Sequence, residues 1–302
     1  MNIGFIGLGN MGSGMASNLL RYCLQNDHQL TVYDINTSSV ESLVAQGARR
    51  SDSVAALASS VDIVFTSLPS SVEINAVATG EQGLFENLPQ GAVWFETSTN
   101  ELAEWQALLA AAPSHLSLVD APVTGGAEGA AAGTLTMLLG IEESMLEQHA
   151  DLLASFTQKA VRMGPAGAGY VSKLCQLHLN YLVAEGIGET LMLAQKAQLD
   201  LAALYSVLQH SCAQSYVADA YIPRVLNGSY DPSFTLGLAT KDMRLISGLG
   251  EHLGVPLKLA DAVYADYQTA TQRYGADQPH LQIVKLIEDE TGELLRADLD
   301  DV

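Results

Sequence analysis

Three glycines near the N-terminus have the spacing of a dinucleotide-binding loop. The segment GLGNMG, residues 7–12, follows the apolar run Asn2–Ile6 and precedes a helical pattern. In such a strand–turn–helix unit Gly7 permits the tight turn, Gly9 lets the backbone approach a pyrophosphate, and Gly12 allows close packing. N–H groups at the helix start would then bind the phosphates. This context favours a cofactor loop over an ordinary glycine-rich turn.

A carboxylate follows at the distance expected in this kind of site. The second apolar run, Gln29–Tyr33, ends at Asp34, where a carboxylate can accept hydrogen bonds from ribose hydroxyls and would repel a 2′-phosphate. Residues 35–39 contain no arginine that could bind such a phosphate. The sequence therefore predicts NAD, and NADP is less favoured. The alternative is that Asp34 only caps the helix beginning near Ser38.

Two polar loops follow later strands. Leu68 and Pro69 come after the strand that ends at Thr66, and Thr99 comes after the next strand. Ligands of open α/β sheets bind beyond the carboxyl ends of the strands, so we expect both loops to line the nicotinamide side of the cofactor. Taken singly, each loop is better explained by ordinary turn and helix-cap chemistry, and only their occurrence at consecutive strand ends favours cofactor contacts.

A hydroxyl and two glycines follow a further strand end. In the segment Val123-Thr124-Gly125-Gly126, successive backbone N–H groups can form a nest for an anion such as a carboxylate. The local alternative is a tight glycine turn.

A lysine stands one turn inside a long helical pattern. Three glycines in GPAGAG, residues 164–169, open this helix, and Lys173 lies in an otherwise apolar stretch. Burial in a cleft lowers the pKa of a lysine and suits it to general acid–base chemistry. The alternative is a lysine whose stem packs on the helix while its amine reaches water.

Composition excludes several classes of partner. The 302 residues carry 34 acidic and 14 basic side chains, a net charge of −20, so we expect no nucleic acid and no anionic membrane as partner. The three cysteines and seven histidines lack metal-ligand spacing and predict neither a disulfide framework nor a metal site. With no signal peptide and no membrane-spanning stretch recognised, we expect a cytoplasmic protein.

Short apolar runs alternate with helical patterns up to residue 164. This alternation predicts an α/β fold with a mostly parallel, doubly wound sheet. The predicted strands are Asn2–Ile6, Gln29–Tyr33, Asp62–Thr66, Ala92–Phe95, Leu116–Val119, Leu135–Leu139 and Ala160–Arg162. Besides the helix after the glycine loop, the predicted helices are Ser39–Ala45, Ser53–Leu57, Glu101–Ala111 and Met145–Phe156.

Helical patterns alone follow from residue 165 to 302. The first, Tyr170–Leu199, is long and apolar enough to be a core element or a subunit interface, so we expect a homodimer or homotetramer. The acidic tail Ile287–Val302 is expected to be frayed or loosely docked. Between them the predicted helices are Ala202–Cys212, Ser215–Leu226, Leu238–Leu253, Leu257–Thr271 and Leu281–Glu290. The sequence thus predicts a dinucleotide-binding domain, 1–164, and an all-helical domain, 165–302.

Five ordered motifs resemble those of the β-hydroxyacid dehydrogenase family, which includes 3-hydroxyisobutyrate dehydrogenase and tartronate semialdehyde reductase. The resemblance covers nearly the whole chain. Residues 7–19 are similar to GLGxMGxxMAxNL, 120–126 to DAPVSGG with Thr124 for serine, 133–135 to GTL, 164–173 to GxxGxGxxxK, and Phe234 with Lys241-Asp242 to F…KD.

The resemblance implies a Rossmann-like domain, a 6-phosphogluconate dehydrogenase-like helical domain, and reversible hydride transfer between nicotinamide and a small β-hydroxy acid. Lys173 would be the general acid–base. The residue patterns and the resemblance together predict six substrate-binding residues: Val123, Thr124, Gly125, Gly126, Gln176 and Asn180. They also predict the cofactor-binding residues, which are Gly7, Gly9, Asn10, Met11, Gly12, Asp34, Leu68, Pro69, Thr99, Phe234 and Lys241.

One position departs from the family pattern. The family places asparagine four residues after the lysine, and this chain has Leu177 there. Gln176 and Asn180 fall on roughly the same helical face as Lys173, so we hypothesise that one of them replaces the missing amide. The alternative is an atypical substrate, or weak activity on the usual ones.

Three other functions share part of this pattern. Imine reductases share the implied architecture but typically place another residue at the lysine, so Lys173 argues against them, whereas Leu177 keeps this alternative open. Lys173 and the intact DAPVTGG segment also argue against a non-catalytic NAD(H)-binding module. Phosphogluconate-type decarboxylation is disfavoured because histidine-asparagine is replaced by Gln176-Leu177.

Overall fold

The chain divides into two compact units between Lys173 and Leu174, in a computed structural model that describes residues 1–299. The domain boundary predicted at 164/165 stays a prediction. The first unit retains nine further residues, because the segment around Gly167 and Tyr170 hydrogen-bonds to a strand of that unit.

The apolar runs of the first unit form one twisted sheet. Its strand order is β3-β2-β1-β4-β5-β6-β8-β7, with β9 paired to β8. Strands β1 to β6 pair in parallel, β8 is antiparallel to β6 and β7, and β9 is parallel to β8. The bounds are β1 Asn2–Ile6, β2 Gln29–Tyr33, β3 Arg49–Arg50, β4 Ile63–Thr66, β5 Val93–Glu96, β6 Ser117–Asp120, β7 Val123–Thr124, β8 Leu135–Gly140 and β9 Thr157–Gly164.

The central strands β1, β4 and β5 are buried on both faces, which explains why they are apolar rather than alternating. The outer strands β3 and β9 are largely exposed. Phe5, Phe65 and Phe95 stack in register across neighbouring strands on one face, with ring centroids 6.1 and 5.0 Å apart. Val64 and Trp94 point to the other face, where they join a second apolar cluster. The predicted α/β class with a mostly parallel sheet is confirmed.

Helices cover both faces of the sheet. Their bounds are α1 Gly12–Gln25, α2 Thr37–Val44, α3 Val54–Ala58, α4 Ser71–Ala78, α5 Leu84–Asn87, α6 Leu102–Ala111, α7 Gly126–Ala132 and α8 Glu143–Ala154. The sequence analysis missed α4, α5 and α7 and the two-residue strands β3 and β7. These elements are too short, or too rich in glycine and alanine, to produce an apolar period. Strand β9 also begins three residues earlier than predicted.

The second unit is helical, as predicted. It comprises most of α9 Ala168–Lys196, then α10 Leu201–Gln209, α11 Tyr216–Leu226, α12 Leu236–Leu253, α13 Lys258–Tyr274, a 3₁₀ helix His280–Val284 and α14 Lys285–Thr291. The last two replace one predicted helix, Leu281–Glu290. Among residues 1–299, no helix has the length and apolar character needed to cross a membrane.

The expectation of a loosely held tail is wrong for residues 287–299. Leu295 is fully buried, and its N–H donates to the Glu288 carboxylate. The Arg296 guanidinium lies 3.1 Å from the same carboxylate and donates to the Tyr230 hydroxyl. The buried Leu295 and the hydrogen bond from Arg296 to Tyr230 hold this acidic segment to the rest of the second unit. Residues 300–302 lie outside the described part.

Candidate cofactor-binding and active site

The candidate site begins at the edge of the sheet where the parallel strands end. Strand β1 has β2 on one side and β4 on the other, so the strand order reverses there. In open α/β sheets ligands bind in the crevice outside such a reversal. The segments containing Gly7, Asp34, Leu68, Thr99 and Val123 all follow strands that end at this edge.

The three glycines of the loop differ in whether a side chain would fit at their positions. Gly7 has a φ of +93°, and a Cβ there would lie 2.1 Å from the Ser67 carbonyl oxygen; a Cβ on Gly12 would lie 1.9 Å from the Gly7 carbonyl oxygen. Gly9 is exposed, and a Cβ there would meet no protein atom within 4 Å. The fold therefore requires Gly7 and Gly12, whereas only a ligand would require Gly9.

The beginning of α1 fits the same ligand. Asn10 is exposed and Met11 is half-buried, and the side chain of Met11, the N-cap residue of α1, makes no capping hydrogen bond. Backbone N–H groups at an uncapped helix start suit the phosphates of a dinucleotide.

Asp34 ties this loop to the end of β2. One of its carboxylate oxygens accepts from the Leu8 N–H, and the other accepts from the Asn36 N–H at 2.6 Å. The helix α2 is capped by the Asn36 side chain, which accepts from the Ser38 N–H. The role of helix cap thus belongs to Asn36, and the half-buried Asp34 keeps carboxylate lone pairs for a ribose hydroxyl.

The two loops expected beside the nicotinamide are fastened to each other. Ser98 Oγ accepts from the Leu68 N–H at 2.7 Å, and Ser71 Oγ donates to the Asn100 side chain. Pro69 is exposed and Thr99 is half-buried. Side-chain bonds therefore hold loops 67–71 and 97–100 together as one surface, although about 30 residues separate them.

The Val123–Gly126 segment is a short strand followed by a turn. Val123 and Thr124 form β7 and pair with Met137 and Thr136 of β8. The exposed Gly125 and Gly126 follow with φ of +129° and +67°, and α7 begins there. Positive φ at both glycines allows the chain to turn sharply, which the anion nest and the simple glycine turn both require.

Asp120, at the end of β6, anchors the helix that carries Lys173. Its two carboxylate oxygens accept from the Gly167 N–H at 2.6 Å and the Tyr170 N–H at 3.1 Å. Burial raises the pKa of Asp120, and these N–H donors oppose the rise. One turn further along α9, Lys173 is only 8% exposed. The sequence analysis singled out the lysine but not the carboxylate that fixes its helix.

Glu96, at the end of β5, is a second buried carboxylate that sequence reasoning missed. It accepts from the Tyr170 hydroxyl, the Ser98 hydroxyl, the Ser98 N–H at 3.0 Å and the Thr66 hydroxyl at 3.4 Å. Burial raises the pKa of Glu96 to about 7, and hydrogen bonds from Ser98, Tyr170 and Thr66 act against that rise. A charged residue at the end of an otherwise apolar strand was the available signal.

The predicted substrate amides lie in the second unit. The Tyr221 hydroxyl donates to Asn180 Oδ1 at 3.1 Å, and Gln176 is half-buried. Leu177 is 8% exposed and belongs to the apolar cluster of this unit. The position that differs from the family pattern is thus a core position here.

Phe234 and Lys241, the two cofactor candidates of the second unit, are both held by neighbours. The Phe234 ring packs edge-on against His280, with centroids 5.6 Å apart, and His280 lies 3.1 Å from Asp231. Lys241 Nζ lies 3.3 Å from the Asp242 carboxylate.

Two family profiles together match nearly the whole chain. The profile of the NAD binding domain of 6-phosphogluconate dehydrogenase matches residues 2–164. The profile described as NAD-binding of NADP-dependent 3-hydroxyisobutyrate dehydrogenase matches residues 167–287.

Individual relatives are similar over most of their length. A probable mitochondrial 3-hydroxyisobutyrate dehydrogenase of Dictyostelium discoideum is 31% identical, covering 88% of this chain and 84% of its own. A 2-(hydroxymethyl)glutarate dehydrogenase of Eubacterium barkeri is 32% identical, covering 86% and 85%. The structure of 3-hydroxyisobutyrate dehydrogenase of Mycobacterium tuberculosis with L-serine superposes with a TM-score of 0.86 at 25% identity, covering 95% and 98%.

Proposed function

Because the chain belongs to the β-hydroxyacid dehydrogenase family, whose domains bind a nicotinamide cofactor, we propose that it oxidises a small β-hydroxy acid with NAD. Lys173 acts as the general acid–base in this proposal. The substrate is of the 3-hydroxyisobutyrate type.

A nearly buried lysine supports this mechanism most strongly. Lys173 is 8% exposed in a chain with only 14 basic residues. Asp120 anchors the first turn of its helix to the carboxyl end of β6, at the sheet edge that carries the glycine loop. A lysine fixed at this edge can reach the hydroxyl of a substrate that lies beside the nicotinamide.

Lys173 exchanges one proton with the substrate. Bound NAD supplies the hydride acceptor. In oxidation the neutral Lys173 amine takes the proton of the substrate hydroxyl while the carbon loses a hydride, and a carbonyl forms. In reduction the Lys173 ammonium returns that proton to the oxygen. Such assistance typically accelerates a reaction ~10²–10⁴-fold.

The turn after β7 receives the substrate carboxylate. Val123, Thr124, Gly125 and Gly126 offer a hydroxyl and backbone N–H groups, and their positive-φ turn is compatible with an anion nest. The compounds named for the relatives, 3-hydroxyisobutyrate, 2-(hydroxymethyl)glutarate and L-serine, share a hydroxymethyl group on the carbon next to a carboxylate. This shared unit defines the proposed substrate class.

Asn180, rather than Gln176, supplies the amide that position 177 lacks. The Tyr221 hydroxyl donates to Asn180 Oδ1, an arrangement that leaves Nδ2 as the donor for a substrate oxygen. An Asn180→Ala variant should lose more kcat/KM than a Gln176→Ala variant. Equal effects of the two substitutions would contradict this assignment.

The cofactor contacts are divided by function. Gly7, Gly9, Asn10, Met11 and Gly12 surround the pyrophosphate, Asp34 binds the ribose and selects NAD, and Leu68, Pro69, Thr99, Phe234 and Lys241 contact the remainder. The open space at Gly9 and the carboxylate at Asp34 support this division.

A substrate panel with a lysine variant tests the proposal. Purified protein is assayed with 3-hydroxyisobutyrate, L-serine, glycerate and 2-(hydroxymethyl)glutarate, with NAD and NADP in parallel, by nicotinamide absorbance. Lys173→Ala should lower kcat by ~10²–10⁴-fold and change the Kd for NAD by less than about threefold. Turnover near the wild-type level in that variant contradicts the role of Lys173, and no reduction with any substrate contradicts the proposed activity.

A further inference from the structure

A buried polar cluster lies between the strand ends and the beginning of α9. We call Thr66, Glu96, Ser98 and Tyr170 the Glu96 cluster; each of its members is at most 8% exposed. A carboxylate buried this completely is costly unless donors surround it. Four donors from the other three residues converge on Glu96, and they come from three different segments of the chain.

Tyr170 connects this cluster to the helix of Lys173. Its hydroxyl donates to Glu96 Oε2, its backbone N–H donates to Asp120, and its ring packs against Trp105 with centroids 5.4 Å apart. Lys173 follows three residues later, so the two side chains are neighbours on one helical face. The hydrogen bond of the Tyr170 hydroxyl therefore fixes how the helical turn that carries Lys173 is rotated about the helix axis and where it lies along that axis.

Ser98 connects the Glu96 carboxylate to loops 67–71 and 97–100. Its hydroxyl donates to Glu96 and accepts from the Leu68 N–H at 2.7 Å. Glu96 is thus bonded on one side to the helix of the lysine and, through one serine, to both loops expected beside the nicotinamide. No other carboxylate described among residues 1–299 makes this double connection.

We propose that Glu96 is a positioning residue that, through Tyr170, sets the place of Lys173 relative to loops 67–71 and 97–100. This inference rests on the proposed acid–base role of Lys173. Glu96 touches neither substrate nor cofactor in it. A displacement of about 1 Å in a reacting group lowers turnover by up to ~10²-fold, so even a small shift of the α9 turn is measurable.

Two single variants and their combination test this role. Tyr170→Phe removes only the hydroxyl and keeps the ring against Trp105, and Glu96→Gln keeps the size of the side chain but removes an acceptor. Each should lower kcat per folded protein by ~10–100-fold and leave the Kd for NAD within about threefold. Because both variants disturb the same Tyr170–Glu96 hydrogen bond, the double variant should lose clearly less than the product of the two single effects.

The matched control is a second buried tyrosine–glutamate pair. The Tyr230 hydroxyl donates to Glu288 at 2.5 Å in the second unit, away from Lys173 in the sequence. Tyr230→Phe removes the same kind of bond and should lower the melting temperature without changing kcat. If Tyr170→Phe behaves as Tyr230→Phe does, or if the effects of Glu96→Gln and Tyr170→Phe multiply, the positioning role is wrong.

The Lys173→Ala variant separates this inference from the proposed function. Loss of turnover in Lys173→Ala with wild-type kcat in Glu96→Gln and Tyr170→Phe overturns only the positioning role. Wild-type turnover in Lys173→Ala overturns the proposed mechanism itself.

Discussion

Three single carboxylates connect the ends of parallel strands to other segments of the chain. Asp34, Glu96 and Asp120 each follow or end a parallel strand, and each accepts hydrogen bonds from a segment that is distant in the sequence. Asp34 differs from the other two because it is half-buried, whereas Glu96 and Asp120 are fully buried. Only Asp34 is therefore accessible to a cofactor.

The proposed selection of NAD over NADP should depend on the charge of Asp34. In Asp34→Asn the amide oxygen still accepts from the Leu8 N–H, so the loop keeps its anchor, but the repulsion of a 2′-phosphate is lost. We expect the ratio of kcat/KM for NAD to that for NADP to fall by about tenfold, roughly the effect of 1.4 kcal/mol. Steady-state kinetics with both cofactors measures the ratio, and an unchanged ratio would show that Asp34 does not select the cofactor.

At the scale of elements, α1 joins the glycine loop to α7. A Cβ on Gly14 would lie 2.7 Å from the Ala130 carbonyl carbon, so the two helices touch through backbone. The Asn18 amide reinforces this contact by donating to the Ala130 carbonyl at 2.8 Å. Gly14 thus serves helix packing, in contrast to Gly9 in the same motif.

Alanine substitutions at Gly14 and Gly9 should have different effects, the first on stability and the second on cofactor binding. Gly14→Ala forces α1 and α7 apart and should lower the free energy of unfolding by about 1–3 kcal/mol. Gly9→Ala meets no protein atom and should leave stability within about 0.5 kcal/mol, while its methyl group weakens NAD binding by at least about tenfold. Denaturant unfolding and NAD titration measure the two effects. Wild-type NAD affinity in Gly9→Ala would show that the open space does not face the pyrophosphate.

At the scale of the whole molecule, acidic groups dominate. The net charge is −20. Two of the carboxyl groups are buried: burial raises the pKa of Glu96 to about 7 and that of Glu185, in the second unit, to about 8. A carboxyl whose folded pKa exceeds its unfolded value binds its proton more tightly in the folded chain. Its contribution to stability is complete below the unfolded pKa and is lost as the pH rises through the folded one.

The first unit should therefore become less stable as the pH rises from about 4.5 to 7. For Glu96 the ordinary pKa is 4.5, and the loss over this window is on the order of 3 kcal/mol. Both tryptophans, Trp94 and Trp105, are buried in the first unit, so their fluorescence reports its unfolding. Glu96→Gln should flatten this pH dependence, and Glu41→Gln, at an exposed position, should not. An equal slope in Glu96→Gln and wild type would contradict the assignment.

The sequence by itself determined the family and most of the strands and helices. Local signals suffice for these features: a buried strand is a short apolar run, and a dinucleotide loop is three glycines in a fixed spacing. Seven of the strands and the long helices follow from such signals within a few residues. The elements β3, β7, α4, α5 and α7 do not. Strands β3 and β7 and helix α5 have only two to four residues, and α7 consists of glycine, alanine and one glutamate, so no apolar period marks them.

Only the tertiary structure decided which residues hold the candidate site together. The bond between Tyr170 and Glu96 spans 74 positions, and that between Gly167 and Asp120 spans 47. No local pattern reports a pairing of this kind, since it exists only when parallel strands bring their carboxyl ends to one edge. The same holds for Leu177: the sequence showed only that it stands where the family pattern has asparagine, and packing made it part of the core of the second unit.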